Sequence, residues 1–148
     1  MRIAAETGAR DPANLAPGER PGLAPEAALS WLRKQGFRAE LSFEEQGDYS
    51  ALNRLRENIR KGIPTMVCCI SYGEHWVIAV GYDDRGTETM EDDVIIFADS
   101  ADIGDDHKDG YSFKNADRFY WCWFDVLYYD RLKWRPMITL SYSAESPE

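Results

Sequence analysis

The sequence predicts an α+β fold in which helices come first and an antiparallel sheet follows. Three observations carry that prediction. Pro25–Gln35 and Tyr49–Lys61 repeat apolar residues at helical spacing. Thr65–Tyr72, His75–Tyr82 and Val94–Ala98 are apolar runs of strand length. The links between those runs are short or polar, which suits reversing strands rather than strand–helix–strand units.

Taken in order, residues 1–24 begin with a stretch, Met1–Glu6, that reads as the tail of a helix. Gly8, Pro12, Pro17, Gly18, Pro21 and Gly22 then mark a loop. Pro25 suits the first turn of the first helix, where a missing N–H costs nothing. Ala28, Leu29 and Leu32 form its apolar face, and Gly36 stands where a left-handed cap belongs. Phe37–Leu41 alternates like a short edge strand. Asp48 is placed to cap the second helix, with Leu52, Leu55 and Ile59 on one stripe and Arg54, Arg60 and Lys61 facing water. Gly62 and Pro64 end that helix. After the three strand runs comes an acidic loop, Asp99–Gly110. Asp117–Tyr129 is aromatic-rich and helical at its start. Met137–Tyr142 reads as a last strand with Ile138, Leu140 and Tyr142 on one face. Residues 1–143 are expected to form one domain and residues 144–148 a frayed polar tail.

Composition narrows the function. The 148 residues are 44% hydrophobic and 13% aromatic, enough for one packed core. A net charge of −9 gives no bulk attraction to nucleic acid or an anionic membrane surface. No apolar run approaches the roughly 20 residues of a membrane span, and Met1–Glu6 lacks the apolar core of a signal peptide. Cys68, Cys69 and Cys122 are an odd count without a CxxC pair, so neither a disulfide framework nor a zinc knuckle is expected. They read as free thiols in apolar surroundings, which leans toward a reducing, cytoplasmic interior. No cofactor and no metal is expected.

Two histidines are candidates for chemistry. His107 lies in the polar run Asp105–Asp109 and reads as surface. His75 opens an apolar strand just after a turn, where one ring nitrogen can face a cleft and the other a partner. A His that only caps the strand fits the same position. Asp99 ends the next strand, and reversing strands bring the start of one beside the end of the other. A carboxylate there can orient the imidazole of a nucleophile–His–Asp arrangement, or merely form the turn Asp99–Asp102. The acids of the 99–110 loop are oxygen ligands of the type calcium takes, but their spacing departs from the EF-hand pattern, so a solvated charge run is expected. Phe119–Phe124 reads as core rather than as a stacking platform for bases, because basic residues around it are sparse.

Three segments together carry a resemblance: Gly62–Val67, then Gly73–Asp83 with its His75-Trp76 and Gly81-Tyr82, then Val94–Ser100 ending in Asp99-Ser100. With Phe119 and Trp123 downstream, and the two helices upstream, they resemble the C39-like family of papain-fold cysteine peptidases over roughly residues 1–140. The resemblance implies a papain-like fold, a peptide or protein substrate, His75 as catalytic base and Asp99 as its orienting residue. It also implies a nucleophilic Cys at a helix start, preceded by an oxyanion-hole Gln, upstream of everything here. No Cys precedes Cys68, and Cys68 and Cys69 lie on the strand before His75, so neither is assigned as nucleophile, nor is Cys122. The chain is then either an incomplete reading of a longer peptidase or a scaffold that has lost its thiol and binds peptides without cleaving them. An isopeptidase or transglutaminase-type acyl transferase would need the same thiol. Three expectations follow. The chain alone does not cleave peptides. The His75 ring and the Asp99 carboxylate lie within or near hydrogen-bond distance. Apolar surface on one side of the sheet is left exposed, favouring self-association.

Overall fold

A computed structural model describes residues 6–69, 75–102, 106–129 and 131–142. It is an α+β fold built on a mainly antiparallel sheet, with three α-helices among the described residues. A 3-10 turn at Pro12–Asn14 leads into α1 (Pro25–Lys34), β1 (Phe37–Ser42) and α2 (Ser50–Arg60). Then come β2 (Thr65–Cys69), β3 (His75–Asp83), β4 (Val94–Ala98) and β5 (Tyr111–Asn115). The chain closes with α3 (Ala116–Cys122), β6 (Phe124–Asp125), β7 (Lys133–Trp134) and β8 (Met137–Tyr142). The main sheet has the order β1-β8-β2-β3-β4-β5, with every neighbouring pair antiparallel. β6 and β7 form a separate two-stranded ribbon.

The three-strand meander expected from the sequence is present as β2-β3-β4, and β5 extends it as a fourth strand. The expected last strand is present as β8, which inserts between β1 and β2, so both of its edges are paired. Ile138 and Leu140 share a face as expected and pack under α1, while Met137 joins the core on the other side.

Helices cover the two faces of the sheet unequally. α2 and α3 lie over one face, where Leu52, Leu55, Val67, Val77, Ile95, Phe97, Phe119, Tyr120 and Trp123 form the larger core. α1 covers the other face only over β1, β8 and β2, packing Ala28 and Leu32 against Ala39, Ile138 and Leu140. Gly36 takes φ +90° after α1, as its capping role requires.

The second helix begins differently from expectation. Ser50 is its first residue, and Tyr49, not Asp48, sits at the N-cap with a left-handed φ of 62°. Asp48 accepts the Ser50 N–H at 3.0 Å from one residue further out. Tertiary contacts hold Tyr49 in that strained conformation. Its ring stacks on Tyr120 at 4.5 Å, its N–H donates to the Tyr120 hydroxyl at 2.9 Å, and its own hydroxyl donates to Asp117 at 2.5 Å.

A buried cation fixes the neighbouring loop. Arg135 is 2% exposed, and its guanidinium lies 3.8 Å over the Tyr120 ring. It donates to the backbone carbonyls of Glu44 and Gln46. Neither Arg135 nor the short strands β5, β6 and β7 carries a pattern that marks it in the sequence.

Candidate active site

The candidate site is built by β3 and β4 at one end of the sheet. Antiparallel register sets Ile78 opposite Ala98, so one further step sets Asp99 beside Val77 and diagonal to His75. His75, Val77, Phe97 and Asp99 therefore share a face, the one covered by α3. Trp76 points the other way and donates its indole N–H to the Leu23 carbonyl at 2.8 Å, which pins the start of β3 to the segment before α1. The backbone that carries His75 is thus fixed from the opposite side of the sheet.

The structure brings His75 and Asp99 together. His75 Nε2 lies 2.6 Å from Asp99 Oδ1. A carboxylate can only accept, so Nε2 carries a proton, and in the neutral ring Nδ1 then keeps its lone pair. None of the described residues hydrogen-bonds Nδ1. The Asp99 side chain is 3% exposed and that of His75 is 22% exposed. Asp99 Oδ1 also accepts the Ala101 N–H at 2.9 Å, and the Asp99 N–H donates to Gly110 O. Burial opposes ionisation of Asp99, but the Ala101 N–H, His75 and Ser112 together outweigh it and hold the carboxyl below its ordinary range.

A cleft of about 10 Å³ adjoins the pair, room for roughly one water molecule. Phe97 and Phe119 form its apolar wall, and Ser112 and Lys114 of β5 complete it. Ser112 is buried beside Asp99 and is a site residue that the sequence did not reveal, because β5 itself was not recognised.

The other candidates lie elsewhere. Cys68 is fully buried and is the register partner of Trp76, so it belongs to the face opposite His75. Cys69 is the backbone register partner of His75. Cys122 is exposed at the end of α3 and does not line the cleft. His107 is exposed in the loop before β5. In the acidic loop, Ile103–Asp105 lie outside the described residues. Asp102 accepts the Gly110 N–H, Asp109 accepts the Tyr111 N–H, and Lys108 reaches the Asp102 carbonyl. Among the described residues, no group of three or more His, Cys, Asp or Glu side chains is arranged to hold a metal ion. Among them, too, no helix is long and apolar enough to cross a membrane.

With this geometry in hand, comparison with known proteins adds no relative: no family model, no curated protein and no solved structure matches the chain.

Proposed function

We propose that this chain carries the His–Asp half of a cysteine peptidase active site on a C39-like, papain-type scaffold. The observation that carries the proposal is the 2.6 Å contact between His75 Nε2 and a buried Asp99 carboxylate held ionised. That contact leaves Nδ1 as the basic nitrogen of a ring that lines a cleft. A thiol placed at the cleft would give its proton to Nδ1, and Asp99 would stabilise the imidazolium that forms. The thiolate would attack the scissile carbonyl, and His75 would return the proton to the departing amine. Asp99 acts through His75 and is a positioning residue.

Neither Cys68 nor Cys122 lines the cleft, and the chain alone is expected not to hydrolyse peptides. The direct test is a fluorogenic peptide assay under reducing conditions on the wild type and on Cys68→Ala and Cys69→Ala. The expected result is no thiol-dependent turnover in any of them. Robust turnover that either substitution abolishes would overturn the assignment of roles.

A second reading is peptide binding without cleavage, since neither Cys68 nor Cys122 lines the cleft beside His75. Saturable peptide binding without product, weakened by His75→Ala, would support this reading over catalysis.

A further inference from the structure

The face of the sheet opposite the candidate site is only half covered. α1 and the segment before it cover β1, β8, β2 and Trp76 at the start of β3, and leave the rest of β3, β4 and β5 bare among the described residues. Register places Ile78 beside Ala98 and Tyr111, and Gly81 beside Ile96 and Phe113, all on this face. A register shift between Ala79 and Gly81 lets Val80 and Gly81 both lie opposite Ile96. A Cβ at Gly81 would meet the Ile96 side chain at 3.0 Å, so any other residue there would have to push Ile96 aside by a few tenths of an ångström. The result is a contiguous apolar strip in which Ile78 is 36%, Val80 46%, Tyr111 45% and Phe113 55% exposed. Exposed apolar side chains scattered singly are ordinary, but a contiguous strip across three strands marks an interaction surface.

The charges around this strip say what it fits. The loop 83–93 holds six carboxylates and one Arg, and the loop 99–110 holds five carboxylates and one Lys. Together they account for the whole net charge of −9, and the rest of the chain is neutral overall. Asp93, Asp99 and Asp102 are buried, so the acidic rim is made by the exposed carboxylates between residues 83 and 92 at one end and by Asp106 and Asp109 at the other. One loop joins β3 to β4 and the other joins β4 to β5, so they lie at opposite ends of the bare strands. An apolar strip with acid at both ends complements an apolar surface flanked by Lys and Arg. It repels a second copy of this acidic chain and an anionic lipid surface alike.

We propose that the exposed face of β3, β4 and β5 docks a basic amphipathic helix of a partner protein. A helix of about fourteen residues is roughly 21 Å long and spans strands of this length from loop to loop. Its apolar face would cover Val80, Ile96, Tyr111 and Phe113, and its basic residues would reach the two loops. This proposal does not depend on the peptidase reading, because His75 and Asp99 lie on the other face.

The test uses the intact chain and a fluorescent peptide of about fourteen residues, with Leu on one helical face and Lys on the other. The expected result is saturable binding that weakens as salt rises. The double variant Val80→Thr, Phe113→Thr should weaken it about tenfold or more. Phe113→Lys should weaken it through repulsion, and Asn53→Ala, exposed on α2 across the sheet, should leave it unchanged. These positions are solvent-facing, and a thermal melt confirms that the variants are folded. No binding at about 100 µM peptide, which corresponds to an affinity too weak for a specific partner, would overturn the proposal. So would equal binding of the peptide with Glu in place of Lys, or an affinity unmoved by the double variant. A dimer in sedimentation velocity that the double variant disperses would replace the partner helix with a second copy, and would overturn it too.

Discussion

β3, β4 and β5 present two faces of very different character. On one, Val77, Ile95 and Phe97 are sealed under α2 and α3, and that cover keeps Asp99 almost dry beside His75. On the other, Val80 and Phe113 of the same strands stand half in water. The strands do not differ in regularity between their faces; only the layer above them does. Dry surroundings sharpen a hydrogen-bonded charge pair, whereas a wet apolar strip gains by acquiring a cover. The contrast separates a face suited to chemistry from a face suited to docking.

The largest expected effect breaks the covered face. Phe97 is 1% exposed and packs 5.0 Å from Phe119. Phe97→Ala should cost about 3–5 kcal/mol in urea unfolding and open the wall of the cleft. Next comes the polar pair on the same face. Asp99→Ala removes the acceptor of the His75 ring and of the Ala101 N–H, at an expected cost of about 1.5–3 kcal/mol.

A smaller effect is read through pH. The folded Asp99 carboxyl lies below its ordinary range, so it binds a proton less readily folded than unfolded. Its contribution is fully present above the unfolded value of about 3.9 and is lost as pH falls through the lower folded value. A urea-unfolding series from pH 6 down to pH 2 should show this loss in the wild type. Asp99→Asn should lack that component.

The smallest effect sharpens the contrast from the bare side. Phe113→Thr, on a strand position that is 55% exposed, should change stability by no more than about 0.5 kcal/mol. A Phe113 variant as costly as Phe97→Ala would mean that the bare face is covered in solution.

Much of the site was legible in the sequence. β2, β3 and β4 are rich in β-branched and apolar residues, and short or polar links force them to reverse. That reversal alone brings the start of β3 beside the end of β4, hence His75 beside Asp99. What stayed hidden depended on long-range pairing. Tyr-Ser-Phe-Lys-Asn has no β-branched residue, and it is a strand because β4 offers an edge. With β5 unseen, Ser112 could not be placed next to Asp99. β8 showed its strand character, but nothing local says that it belongs between β1 and β2. The cap at Tyr49 was missed for a similar reason, since Asp48 has the better local propensity and Tyr120 decides the matter from 71 residues away. Alternation marks which residues share a face; it does not say which face a helix will cover.

Asp99 is expected to hold the neutral His75 ring as the Nε2–H tautomer. Long-range ¹H–¹⁵N NMR on the imidazole, at a pH where the ring is neutral, tests this most directly. A protonated Nε2 and an unprotonated Nδ1 are expected in the wild type, with that preference lost in Asp99→Ala. A wild-type ring protonated at Nδ1, or one that exchanges between tautomers regardless of Asp99, would contradict it.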